Sequence, residues 1–155
     1  MILLLGALSC STHESKKSVQ PAAKEVAQKA QAAAVNKSDS EALQGTWKGQ
    51  ELGGDAEGDC YLIVSGKDFE FRGPDTNEWY KGTFTLREDA KPKQLLGSVT
   101  ECCAPQYVGK MSHAIYRIEG DKLTLTAKAP GDPELPSGFD DNEARRFVFK
   151  AKQAQ

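Results

Sequence analysis

From Leu43 onward, apolar and polar residues alternate in short runs, broken by clusters of Gly, Pro, Asp and Asn. The runs are rich in β-branched and aromatic residues and repeat with a period of two, which is the signature of half-buried strands. The spacing predicts eight strands, at about 46–52, 60–65, 68–72, 79–86, 94–101, 111–119, 122–129 and 144–151. Two hairpins test the register. With Gly66-Lys67 as a two-residue loop, Val64 faces Phe69 and Leu62 faces Phe71, while Ile63–Glu70 and Tyr61–Arg72 look outward. With Gly120-Asp121 as the loop, Ile118 meets Leu123, Tyr116 meets Leu125 and Ala114 meets Ala127. The other face then pairs Glu119 with Lys122, Arg117 with Thr124 and Ile115 with Thr126. In this second hairpin only Ile115 breaks the division between apolar and polar faces. One wet face per hairpin argues for an antiparallel meander, so the expected fold is an all-β, up-and-down barrel over residues 42–152.

A small barrel either fills its interior with side chains or encloses a ligand. The inward positions are Trp47, Leu62, Val64, Phe69, Phe71, Tyr80, Phe84, Tyr116, Ile118, Leu123, Leu125, Phe147 and Phe149. This set packs a solid core or, in the other reading, lines a pocket for a small apolar molecule. The lining candidates are Trp47, Leu62, Val64, Phe69, Phe71, Phe84, Tyr116, Leu125, Phe147 and Phe149. Pattern alone leaves both outcomes open.

The beginning of the chain reads differently. Met1-Ile2-Leu3-Leu4-Leu5-Gly6-Ala7-Leu8-Ser9-Cys10 is a short apolar run ending in small residues and a cysteine. It is too short to span a bilayer and suits the apolar region of a secretory signal. Ala7-Leu8-Ser9-Cys10 resembles the lipobox of bacterial lipoproteins, which implies a signal peptide over 1–9 and acylation of Cys10. Each buried methylene of such an anchor adds about 0.8 kcal/mol of membrane affinity. Residues 10–41 carry no aromatic residue and few large apolar ones. Pro21 to Ala34 has high helix propensity but no stripe with which to dock, so the segment reads as a partly helical tether. The location expected is the bacterial cell envelope, on its periplasmic or extracellular face.

Composition narrows the function classes. The 155 residues hold 20 Lys+Arg against 22 Asp+Glu, a net charge of -2. That balance excludes the basic footprint of an electrostatic nucleic-acid binder. No Gly-x-Ser-x-Gly elbow or nucleophile–base arrangement is visible, and His13 and His113 lie far apart in the chain. The loop Gly53 to Asp59 gathers Asp55, Glu57 and Asp59 but lacks the bidentate glutamate of a calcium-binding EF-hand. No catalytic residue, metal site or cofactor is expected. With Cys10 acylated, Cys60, Cys102 and Cys103 remain in a compartment that permits disulfides. Cys60 can pair with Cys102 or Cys103, closing a loop of about 40 residues and adding roughly 2–4 kcal/mol. Cys102 and Cys103 can instead pair with each other.

The order of motifs adds a resemblance. Gly45-Thr46-Trp47 opens the first strand in the manner of lipocalin-like barrels. Gly82-Thr83-Phe84, Lys91-Pro92-Lys93-Gln94-Leu95 and Ile115 to Leu125 follow in the order seen in a small lipocalin-like domain of planctomycete type. Pro136, Phe139 and Arg146-Phe147-Val148-Phe149 fit its ending. That family has no assigned function. The resemblance implies that Gly45 and Trp47 are structural, with Trp47 at the closed end of the barrel. It also implies that Arg145 or Arg146 packs over Trp47, a contact worth roughly 0.5–2 kcal/mol. The function expected is non-enzymatic binding of a small apolar molecule or an envelope protein partner, with the membrane as the anchor's partner. The alternative is a structural or protein-interaction module with a filled barrel.

Overall fold

The computed structural model describes residues 37–54 and 57–152. The expected signal segment, Cys10 and the tether as far as residue 36 lie outside the described residues. The chain divides into two units, and the second begins at Lys37.

Eight strands form a single closed antiparallel barrel in the order of the chain. They are β1 (Gly45–Glu51), β2 (Cys60–Ser65), β3 (Asp68–Arg72), β4 (Trp79–Arg87), β5 (Lys93–Cys102), β6 (Met111–Glu119), β7 (Lys122–Ala127) and β8 (Arg145–Ala151). β8 closes on β1, pairing Phe149 with Gly49 and Phe147 with Glu51. No strand edge is left open to pair with another chain. Both hairpin registers read from the pattern are present, with Leu62 opposite Phe71 and Tyr116 opposite Leu125. One irregularity breaks the ladder. Lys81 pairs with Glu101 and Gly82 with Val99, so Thr100 is an extra residue that bends β5 near its end.

The two ends of the barrel differ. At one end the turns are short, at residues 66–67, 88–92 and 120–121. A four-residue helix, α1 (Asp39–Ala42), covers this end. Ser38 accepts from the Glu41 N–H, and the Glu41 carboxylate accepts from the Ser38 N–H. This capping box satisfies donors that so short a helix would otherwise leave free. The last residues ascribed to the tether thus fold against the barrel. Asp39 accepts from the Tyr116 hydroxyl at 2.8 Å and from Lys93 Nζ at 2.6 Å. Gln44 bonds the backbone of Gly66 in both directions. Leu43 and Trp47 are buried, and the indole N–H donates to the Leu43 carbonyl at 2.8 Å. Gly45 lets the chain turn from the helix into β1 with φ +109°, which a residue with a side chain rarely adopts. Gly49 has a steric role instead: a Cβ there would overlap the Val148 carbonyl and the Phe149 ring. Leu43, Trp47, Tyr116, Leu123 and Phe149 belong to one buried cluster.

At the opposite end the connections are longer, at residues 52–59, 73–78, 103–110 and 128–144. The last of these explains the exception in the pattern. Ile115 and Thr126 point away from the barrel interior, yet they are 1% and 0% exposed. The 128–144 connection folds back over the outside of β6 and β7. The Gly131 N–H donates to the Met111 carbonyl, and Arg117, on the outer face of β6, lies over the Phe139 ring. Asp141 secures the loop by accepting from the Ser137 and Glu143 N–H groups and pairing with Lys128.

Candidate ligand cavity

The barrel interior is not filled. A cavity of about 340 Å³ opens toward the end with the long loops. That volume falls at the lower limit of pockets that hold small molecules. Seven of the ten lining residues expected from the pattern do line it: Leu62, Val64, Phe69, Phe71, Phe84, Leu125 and Phe147. The other three do not. Trp47, Tyr116 and Phe149 are buried in the floor and packed solid. Phe149 fits there because Gly49 opposite it has no side chain, and the Tyr116 hydroxyl is drawn to Asp39. Alternation places a residue inside the barrel, but not at a height along its axis.

The walls also include residues that pattern reading passed over. Leu95, Gly97, Val99, Ala114 and Ala127 come from β5, β6 and β7. Three of them, Gly97, Ala114 and Ala127, are small and leave the space that the aromatic residues of β3, β4 and β8 do not fill. Alternation marks all five as inward, so this signal was present in the sequence. Tyr107, Ala129 and Pro130 overhang the mouth from the loops, and nothing in the strand pattern predicts them. Tyr107 is the last residue of a short 3₁₀ turn (Pro105–Tyr107) and lies 6.3 Å from the Tyr80 ring, centroid to centroid. Burial, and then the nearby Glu78, push the Tyr80 phenol up to about 12, so it stays protonated.

Arg145 occupies the top of the cavity. It was expected over Trp47 and is not there. Trp47 pairs across the sheet with Ala151, six residues further along β8, which is about 20 Å at the rise of a strand. Arg146 is not over Trp47 either; its guanidinium lies against Gly53. Arg145 instead stacks on Phe147 and Phe71, at 5.1 and 5.6 Å from the ring centroids. Its Nε and Nη2 donate to the two Glu51 oxygens at 2.8 and 2.6 Å, and Nη1 and Nη2 donate to Glu78. Burial opposes the charge, but the bonds to Glu51 and Glu78 outweigh it and raise the pKa above its ordinary value. The mouth therefore has a fixed polar group set on an aromatic wall. Leu52, Val108, Met111 and Leu135, all exposed large apolar side chains, lie at this same end.

The expected disulfide is not formed. Cys60, Cys102 and Cys103 are free thiols. Cys60 on β2 and Cys102 on β5 are separated by β3 and β4, roughly 14 Å of barrel wall at ~4.8 Å per strand. A disulfide needs Cα atoms within about 7 Å. The Cys102 thiol donates instead to the Ala104 carbonyl, and Cys103 is exposed. Cys60 is fully buried, and that burial raises its thiol pKa, keeping the unreactive protonated form. Among the described residues, no three His, Cys, Asp or Glu side chains gather to hold a metal ion. Comparison with protein families finds no match, and comparison with curated proteins finds none either.

Proposed function

We propose that this chain is a lipid-anchored protein of the bacterial envelope whose barrel binds a small apolar molecule without chemically changing it. The observation that carries the binding role is the 340 Å³ cavity walled by Leu62, Val64, Phe69, Phe71 and Phe84. Packed barrels of this size fill such space with larger side chains. Here small residues on one wall stand opposite aromatic residues on the other, and the interior stays open. The exposed Leu52, Val108, Met111 and Leu135 suit the end at which an apolar molecule would enter. Burial of ligand carbon within the cup contributes about 25 cal/mol per Å² of apolar surface removed from water.

The anchor reading rests on Ala7-Leu8-Ser9-Cys10 and on the apolar run before it. The lipocalin-like resemblance supports the carrier reading, since the barrel has the expected strand order and a closed lower end. Native mass spectrometry of the protein purified from its own cells tests the carrier role. A co-purifying small molecule supports it; a bare barrel that also fails to take up added apolar compounds contradicts it. Mass analysis of the mature N-terminus tests the anchor, and an unmodified Cys10 would overturn that part alone.

A further inference from the structure

Five residues with polar side chains line the cavity: Tyr80, Tyr107, Ser112, Lys128 and Arg145. None carries a carboxylate, an amide or an imidazole. The Ser112 hydroxyl gives its proton to the Lys128 carbonyl at 2.8 Å. The Tyr116 hydroxyl, in the floor, is likewise committed to Asp39. Among the described residues, the Tyr80 and Tyr107 hydroxyls have no such partner, and their rings stand together at the mouth. Burial keeps Tyr80 protonated, so its O–H is there to donate. Arg145 makes four hydrogen bonds to Glu51 and Glu78 from its five N–H donors, which leaves one N–H over. Three polar hydrogens at the mouth therefore lack an acceptor from the protein.

These donors come without net positive charge. Arg145 is shared by Glu51 and Glu78, and Lys128 by Asp141 and Glu143, so each cation belongs to a group that sums to -1. Glu51 and Glu78 do not line the cavity, but both bond Arg145, and their side chains are only 11% and 22% exposed. Water therefore screens their charge incompletely at any ligand atom that reaches the guanidinium. A carboxylate there would meet a single N–H, not the two-pronged fork that binds it well, with two anions behind it. An ammonium would meet hydrogens, and no carboxylate lines the cavity to receive it. An uncharged oxygen acceptor meets neither penalty.

We infer that the cup selects an uncharged apolar carbonyl compound, a ketone or an ester: its oxygen accepts from the Tyr80 and Tyr107 hydroxyls while its hydrocarbon body fills the cavity. A carbonyl oxygen has two lone pairs and no hydrogen of its own, so it uses these donors without adding one that needs a partner. At liquid water's ~30 Å³ per molecule, the cavity corresponds to a ligand of about a dozen heavy atoms. The inference rests on the ligand-binding reading above and adds the chemistry of the ligand's polar end.

The test is calorimetric titration of the full chain near neutral pH with compounds built on one phenylbutyl skeleton: butyrophenone, butylbenzene, 4-phenylbutylamine and 4-phenylbutanoate. The ketone should bind about tenfold more tightly than butylbenzene, the gain from one hydrogen bond to an otherwise idle donor. Both charged compounds should bind more weakly than the ketone. Tyr80→Phe combined with Tyr107→Phe keeps both rings and removes both hydroxyls. It should bring the ketone most of the way down to butylbenzene and leave butylbenzene itself unchanged. The ratio of ketone to hydrocarbon on the unaltered chain needs no variant, so it stands even if the double variant does not fold. Equal binding of ketone and butylbenzene, or tighter binding of either charged compound, would overturn the carbonyl preference and leave the carrier reading intact. A ketone advantage undiminished in the double variant would also overturn it, by placing the oxygen away from the tyrosines. If none of the compounds binds, both readings fall.

Discussion

Asp141 does more for the outer wall than its place in a loop suggests. The backbone N–H groups of Ser137 and Glu143, and then Lys128, hold its carboxyl at about 2, below its ordinary value of 3.8. Its contribution to stability is therefore complete above about pH 4 and is lost as pH falls through about 2. Thermal unfolding followed between about pH 5 and pH 2 should show a steeper loss for the unaltered chain than for Asp141→Asn. Equal slopes would mean that Asp141 does not anchor the loop. The thiols give a second check at this scale. Alkylation mapped by mass should modify Cys103 readily and reach Cys60 only after denaturation, because Cys60 is fully buried on its strand. In the floor, Phe149→Ala should cost about 3–5 kcal/mol in urea unfolding through the hole it leaves. Gly49→Ala should cost about 1–3 kcal/mol by the opposite fault, a methyl group forced against Phe149 and the β8 backbone.

Among the elements, the β7–β8 connection shows how a sequence pattern can be right and incomplete. Both hairpin registers were legible because every inward position is apolar or aromatic, and a slip by one residue would expose Leu62, Val64 and Leu123 together. Ile115, on the outer face of the second hairpin, is the misfit that is fully buried. Its burial depends on a 17-residue loop that has no periodicity of its own, and no local rule places such a loop. Ile115→Ala should accordingly cost about 2–4 kcal/mol, as a core position does. Ile63→Ala, outward on β2 and only half-buried, should cost less. Similar costs at both sites would argue that the loop does not cover Ile115. Arg145 escaped sequence reading for a related reason. The family likeness put a basic residue of the last strand over Trp47, but strand direction sets Arg145 at the far end of the barrel. Its partners Glu51 and Glu78 lie 94 and 67 residues away in the chain, and only closure of the barrel brings them together.

For the whole molecule, the question is what a barrel with one sealed end and one apolar-rimmed mouth is built to hold. The floor of Leu43, Trp47 and Phe149 and the cap of α1 close one end. The space above them is left by Gly97, Ala114 and Ala127 facing Phe69, Phe71 and Phe147. Gly97 offers the most direct test of that space. A Cβ there would sit at ordinary contact distance, 3.5 Å from the Phe69 ring, so a larger side chain can enter the cavity without striking the backbone. The decisive measurement is fluorescence titration with 1-aminoanthracene, a small apolar probe that brightens when it leaves water. The unaltered chain should enhance its emission saturably at one site per barrel, and Gly97→Leu, still folded by circular dichroism, should not. Equal enhancement by both chains, or none by either, would contradict the claim that this barrel is a binding cup.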